Sequence, residues 1–106
     1  MADSFADRKR AAEAKWAHDE ELRFKVMARR NKLLGHWVAA QTGLTGAKAD
    51  EYAVSVIKAD MQEKGDEDVF RKVRGDLPAS VADAAIRTKM EELLVTAHDQ
   101  VSSERK

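Results

Sequence analysis

Apolar residues recur at intervals of three, four and seven over most of this chain, which is the spacing of amphipathic α-helices. The pattern predicts helices over residues 19–41, 46–64 and 66–77, and a fourth helix that runs from Ser80 past Val101. One face of each helix is expected to meet a shared core. The side chains predicted for that core are Leu22, Val26, Met27, Leu33, Leu34, Trp37 and Val38, then Ala49, Ala53, Val56, Ile57 and Met61, then Val69, Phe70, Val73 and Leu77, and finally Ile86, Met90, Leu93, Leu94, Ala97 and Val101.

The ends of these helices carry residues with known terminal preferences. Gly43 can adopt the left-handed backbone conformation that closes the first helix, and Thr45 is placed to cap the second. Pro78 ends the third helix. Ser80 followed by Asp83 forms a capping box, which predicts that the last helix starts directly after Ser80. The short connections favour antiparallel neighbours in a compact bundle.

The segment before the first helix, residues 1–18, has few apolar anchors. A helix there would align Phe5, Ala12 and Trp16 on one stripe. Two aromatic anchors do not offset the cost of ordering the backbone, which is roughly 1–2 kcal/mol per residue. We therefore expect this arm to be flexible alone and helical when it enters a groove on a partner.

Length and composition agree with this picture. The 106 residues suffice for one small domain, and 36% charged residues with a single Pro favour helix over a β-sandwich. The predicted fold class is all-α: a small four-helix bundle over residues 19–106, with a flexible, potentially helical N-terminal arm over residues 1–18. No apolar run is long enough for a membrane helix and the N-terminus lacks a secretory signal. A cytoplasmic protein with no direct membrane insertion is therefore expected.

The residue patterns that carry chemistry in enzymes are missing. The chain has no Cys, which removes disulfides, thiol catalysis and Cys-ligated zinc. None of the three His residues has a Glu three positions before it or a second His four positions after it. No nucleophile elbow, P-loop or dinucleotide fingerprint occurs. We expect no enzyme, no metal site and no required cofactor.

Two clusters of basic residues are the remaining candidates for a binding site. Residues 23–32 hold five cations and no carboxylate, and residues 71–74 add three cations. One hypothesis treats both clusters as solvated helix faces. Nucleic acid is a weaker hypothesis, because 19 cations and 19 carboxylates cancel over the chain. A third hypothesis joins the clusters into one anion or phosphate site made of Arg29, Arg30, Lys32, Arg71, Lys72 and Arg74.

Three segments of the chain resemble one known family. They read AKWAHDEELRFKVMARRNKLLGHWVA (residues 14–39), KADMQEKGDEDVFRKVRGDL (residues 58–77) and IRTKMEELLVTA (residues 86–97). These segments are similar to the ATPase inhibitor zeta subunit of alphaproteobacterial ATP synthases, and the resemblance covers essentially the whole chain. It implies a small helical bundle whose N-terminal arm inserts between the catalytic and rotor subunits of the synthase head and blocks rotation in the hydrolytic direction.

The resemblance also implies roles for particular residues. The inhibitory segment would be residues 2–17, and its expected contacts with the catalytic and rotor subunits are Phe5, Arg8, Lys9, Arg10 and Trp16. Because members of the family bind ADP or ATP without hydrolysing it, the basic clusters are candidates to meet nucleotide phosphates. The protein would be peripheral on the membrane-bound synthase and monomeric when free, although self-association through the arm stays open. The alternative is a non-catalytic helical module that binds ADP or ATP and has another partner.

Overall fold

The computed structural model describes residues 20–62 and 66–104. Within these ranges the chain forms four helices and no strand: α1 is Glu20–Thr42, α2 is Gly46–Gln62, α3 is Asp66–Asp76 and α4 is Asp83–Glu104. The predicted all-α, four-helix fold is confirmed. The predicted start of the first helix at Asp19 and the predicted end of the second at Lys64 lie outside the described residues. No helix in these ranges is both long and apolar enough to cross a bilayer.

The C-terminal end of α1 follows the prediction from glycine. Gly43 has a φ of 81°, in the left-handed region, and the backbone N–H of Leu44 donates to the carbonyl of Ala39 over 2.9 Å. This bond satisfies one of the carbonyls that the last turn of a helix leaves without an intrahelical partner. The chain then turns back, and α2 begins at Gly46, directly after Thr45.

The start of α4 differs from the prediction. The helix begins at Asp83, not directly after Ser80, and the carbonyl of Ala82 accepts its first bond, from Ile86 over 3.2 Å. Residues 78–81 instead form a turn, closed by the N–H of Val81 donating to the carbonyl of Pro78 over 3.0 Å. The predicted capping box is therefore wrong, because the proline turn takes up the residues that would have formed the first helical turn.

Helix α1 is the central element of the bundle. It contacts all three other helices, whereas no Cα atom of α2 lies within 8 Å of a Cα atom of α4 in the described parts of the chain. Helix α4 runs antiparallel to α1, since Lys89 lies over the ring of Trp37 while Gln100 accepts a bond from Arg29. Helix α2 approaches α1 so closely that a Cβ on Gly35 would lie 2.5 Å from the Cα of Ala53.

The core divides into two clusters along α1. The first joins all four helices through Leu34, Val38, Val56, Val69, Phe70, Val73, Leu77, Ile86 and Met90. The second joins α1 and α4 alone, through Leu22, Val26, Leu94, Ala97 and Val101. The core predictions are confirmed for these residues and for Ala49 and Ala53, whereas Met27, Leu33, Trp37, Ile57 and Leu93 are only half-buried. The side chain of Met61 lies outside the described part of the structure. Within the described ranges, the apolar side chains of the N-terminal half of α1 therefore pack against α4.

Candidate functional site

A polar centre interrupts the core between the two apolar clusters. Arg30 and Asn31, on α1, are each 1% exposed. The Nε of Arg30 donates to Oδ1 of Asn31 over 2.8 Å, and its Nη2 donates to Oδ1 of Asp66 over 2.9 Å. The Nδ2 of Asn31 in turn donates to Oδ2 of Asp60 over 3.0 Å. Two adjacent residues of α1 thereby hold the end of α2 and the start of α3.

The physical reason for this arrangement is the cost of burying a guanidinium. A buried charge is tolerated only when it is paired and its hydrogen-bonding groups are satisfied. Among the described residues, no buried side-chain nitrogen or oxygen lacks a hydrogen-bond partner. Asp66 is also the first residue of α3, where a carboxylate is favoured by the helix dipole. The polar centre therefore fixes the position of α3 relative to α1.

The pKa of Asp60 is subject to effects of opposite sign at this centre. Burial raises the pKa of its carboxyl, and the negative charges of Asp66 and Asp68 act in the same direction. The hydrogen bond from Asn31 and the charge of Arg30 oppose that rise without cancelling it. The folded state consequently favours the protonated form of Asp60 more than the unfolded chain does.

An open cleft adjoins the polar centre. Its volume is about 80 Å³, and its lining residues are Arg30, Asp66, Arg87, Met90, Glu91 and Leu94. Drug-sized ligands generally occupy pockets of about 300–1,000 Å³, so in this conformation the cleft is too small to enclose a nucleotide. Among the described residues, no group of three or more acidic or His side chains is placed to hold a metal ion.

Arg87 forms the outer wall of this cleft. Its two terminal nitrogens donate to the two carboxylate oxygens of Glu67 over 3.0 and 3.2 Å, and its guanidinium lies 3.9 Å from the ring centroid of Phe70. The bidentate bond from Arg87 lowers the pKa of Glu67. This fork geometry ties the first turn of α3 to the start of α4.

The structure separates the six cations predicted to form one anion site. Arg29 lies where α1 meets the end of α4 and donates to Gln100 over 2.8 Å and to Glu104 over 2.7 Å. The hydrogen bond from Arg29 lowers the pKa of the Glu104 carboxyl, and the positive charge of nearby Lys32 lowers it further. Arg30 lies in the buried centre, on another side of α1. Arg29 and Lys32 therefore both lie near Glu104, whereas Arg30 does not share their surface.

The three cations of α3 have local partners of their own. Arg71 pairs with Asp68, and the Nζ of Lys72 lies 3.1 Å from Asp76 and 5.0 Å from the ring centroid of Tyr52. Arg74 donates to the carbonyls of Pro78 and Val81 and to the carboxylate of Asp83, each over 2.6–2.7 Å, and so closes the proline turn. Five of the six predicted cations thus meet a carboxylate, while Lys32 is exposed.

The sequence predicts Arg30 on a solvated or ligand-binding face, whereas the structure buries it in the polar centre. The apolar spacing does indicate a buried position for Arg30, because Arg30 lies four residues after Val26 and four before Leu34, on the apolar stripe of α1. A cation at such a position needs a buried partner. The sequence does not identify that partner, because Asp60, Asp66 and several other carboxylates could each pair with Arg30.

The residues predicted to contact a partner through the arm lie outside the described residues. They are Phe5, Arg8, Lys9, Arg10 and Trp16, and their roles stay predictions. The described chain starts at Glu20, the first residue of α1. The geometry thus defines the helix that follows the predicted arm.

Comparison with known proteins places this geometry in context. A family model described as ATPase inhibitor subunit zeta matches residues 1–100. A structure solved by solution NMR is similar to this fold, with a TM-score of 0.73 and 48% sequence identity. That match covers 78% of this chain and 98% of the solved chain. No curated protein sequence matches the chain significantly.

Proposed function

Because the chain belongs to the ATPase inhibitor subunit zeta family, we propose that it blocks ATP hydrolysis by a bacterial ATP synthase by inserting residues 1–18 between catalytic and rotor subunits. The observation that carries this proposal is the extent of the family match, which spans both the predicted arm and the helical body. In this proposal the body is a regulator without catalytic groups, and the protein acts while peripherally bound to the synthase.

The anchoring of α1 supports a mechanical role for the arm. Packing against α4 begins at Leu22, and the pair of Arg29 with Glu104 holds the same two helices together. An arm that continues from α1 would therefore be attached to a helix with a fixed position in the body. Once inserted, such an arm would resist displacement by the rotor, because movement of the arm would have to move the whole body.

Directionality follows from the geometry of a wedge. Rotation towards the inserted arm would tighten its contacts with the catalytic subunit, whereas rotation away from it would push the arm out. The protein would then inhibit hydrolysis while leaving synthesis open. This difference separates a wedge from an inhibitor that simply occupies the catalytic site.

The test is ATP hydrolysis by the isolated cognate synthase head, titrated with the full-length chain and with a Phe5→Ala, Trp16→Ala double variant. Loss of two aromatic anchors is expected to raise the half-inhibitory concentration at least roughly 30-fold, since buried aromatic anchors commonly contribute 2 kcal/mol or more to binding. Val54→Ala, on the exposed surface of α2, is the control and should inhibit like the wild type. Undiminished inhibition by the double variant would contradict arm insertion.

ADP or ATP as a regulatory ligand is a separate proposal, inferred from the family alone. The pairing of five of the six predicted cations with carboxylates means that a nucleotide would have to displace existing ion pairs. Saturable ADP-induced chemical-shift changes at residues 29–32 or 71–74 would support it, and their absence at millimolar ADP would remove it.

A further inference from the structure

The N-terminal half of α1 exposes a face that the rest of the helix buries. Phe24 is 62% exposed, and Met27 and Ala28 beside it are half-buried. Residues seven apart lie on the same face of an α-helix. The counterparts of these three residues one heptad later are Asn31, Leu34 and Gly35, all buried against α2 or the four-helix core.

The exposure arises because α1 extends beyond the last described residue of α2. The bond from Asn31 to Asp60 places the last turns of α2 beside Asn31, and α2 ends at Gln62. The eleven residues of α1 before Asn31 continue for about 16 Å, at a rise of about 1.5 Å per residue. Along that stretch α4 covers the opposite side of α1 through Leu22 and Val26, and Met27 packs against the edge of that cluster. The face of Phe24 therefore continues a helix-packing surface that no other described helix covers at this point.

We propose that Arg23, Phe24, Ala28 and the exposed part of Met27, called here the uncovered face, form a second docking surface for the same synthase partner that receives the arm. The proposal rests on the proposed function. Its occupant is a partner surface with an apolar pocket for Phe24 and a carboxylate facing Arg23. Phe24 lies about one turn after Glu20, where the predicted arm joins α1, so an inserted arm would bring this face to the mouth of the insertion site.

The charges around Phe24 indicate the chemistry of that pocket. Arg23 is exposed and has no ion-pair partner within residues 20–62 and 66–104. It lies four residues before Met27, on the edge of the same face. Lys25, on the other side of Phe24, is exposed and paired with Glu21 alone among described residues, over 3.1 Å. The exposed carboxylate of Glu20 lies one turn before Phe24, so the acidic group of the partner is expected only on the Arg23 side of the apolar pocket.

Val54 shows what an ordinary exposed hydrophobic residue looks like in this protein. It is 47% exposed on α2, and three of its four neighbours one turn away, Asp50, Glu51 and Lys58, are exposed and charged, while the fourth, Ile57, is half-buried. Isolated surface hydrophobic residues of this kind need no functional explanation. Phe24 differs because it continues a face that is buried elsewhere. Val54 is therefore a matched control for Phe24.

The test compares full-length Phe24→Ala, Phe24→Leu and Val54→Ala as inhibitors of ATP hydrolysis by the cognate synthase head. Phe24→Ala is expected to raise the half-inhibitory concentration about 10-fold. Phe24→Leu should recover most of that loss, and Val54→Ala should match the wild type. Thermal melts followed by circular dichroism should stay within a few degrees for all three, because the substituted side chains are exposed.

The outcomes separate this inference from the proposed function. Inhibition by the wild type with an unchanged Phe24→Ala variant would overturn the docking surface and leave arm insertion standing. No inhibition by the wild type would overturn both. Sedimentation of the free protein tests a second copy of the chain as the occupant: a wild-type dimer that Phe24→Ala dissociates would also overturn the assignment, whereas a monomer for both proteins supports it.

Discussion

At the scale of single residues, Arg30 is a charged side chain in a core position whose partners are shared between helices. Removing it with Arg30→Ala would leave Asn31 and Asp66 without their donor and open a cavity between the two apolar clusters. Breaking a buried pair costs about 3–5 kcal/mol, and the 53% exposure of the Asp66 side chain reduces that to roughly 2–3 kcal/mol here. Urea denaturation measures the change in the free energy of unfolding.

Arg71→Ala is the matched control for that measurement. Arg71 also pairs with a carboxylate, that of Asp68, but it is an exposed side chain within one turn of α3. Such pairs contribute about 0–1 kcal/mol. Equal losses of stability in the two variants would show that burial of Arg30 is not what makes its ion pair important.

Asp60 gives a prediction with a defined pH dependence. Burial raises its pKa above the unfolded value of roughly 3.9, so the stability linked to its proton is complete below that pH. It is lost as the pH rises through the folded-state pKa, because the ionised form is disfavoured at this position. Asp60→Asn cannot ionise and keeps an acceptor for Asn31. It should therefore unfold at a higher temperature than wild type at pH 7, and the difference should vanish near pH 3.

Calorimetry between pH 3 and pH 7 would measure the difference in melting temperature between Asp60→Asn and the wild type. The charged groups around Asp60 are Arg30, Asp66 and Asp68, and only the first favours its ionised form. A lower melting temperature for Asp60→Asn at pH 7 would mean that the hydrogen bond from Asn31 and the attraction to Arg30 together outweigh burial and repulsion. The polar centre would then favour the ionised form of Asp60 and not the protonated form.

At the scale of elements, α1 and α2 approach each other closely at Gly35. A Cβ there would lie 2.5 Å from the Cα of Ala53, an atom that cannot move without shifting α2. Gly35→Ala is therefore expected to destabilise the protein by about 1–3 kcal/mol, despite the better helix propensity of alanine. Gly75→Ala, where the added Cβ meets nothing within 4 Å, should instead stabilise α3 by about 0.5 kcal/mol.

Thermal denaturation should therefore show a lower melting temperature for Gly35→Ala and a higher melting temperature for Gly75→Ala than for the wild type. A stabilising Gly35→Ala would show that α1 and α2 can separate at little cost. It would also weaken the argument that the face of Phe24 continues a tight helix-packing surface. The pair of variants thus connects the stability of the fold to the docking surface proposed for α1.

The helices were predictable because their signals are local. Apolar spacing located all four, and Gly43 marked the end of α1. The start of α4 was not predictable from the pair of Ser80 and Asp83, because a capping box competes with the turn that Pro78 and Arg74 form. Nor could the separation of the six cations be read from the sequence, since it depends on which carboxylates the helix packing brings near each of them.

At the scale of the whole molecule, folding and the proposed inhibition are expected to depend on different segments of the chain. Every buried apolar side chain in the described ranges lies between Leu22 and Val101. A chain that starts at His18 should therefore keep its helical circular dichroism and lose less than about 1 kcal/mol of stability, a change in melting temperature of less than roughly 8 °C. The same truncated chain should fail to inhibit ATP hydrolysis.

The combination of those two results is what distinguishes a wedge from a body that binds the synthase alone. A folded, inactive truncated chain would assign inhibition to the arm, with the uncovered face of α1 supplying affinity that is insufficient by itself. A folded chain that still inhibits would transfer the function to the body. A large fall in melting temperature would mean that the arm packs on the body in the free protein. It would then have to detach before insertion, and the detachment would reduce its affinity for the synthase by the fraction of chains in which the arm is free.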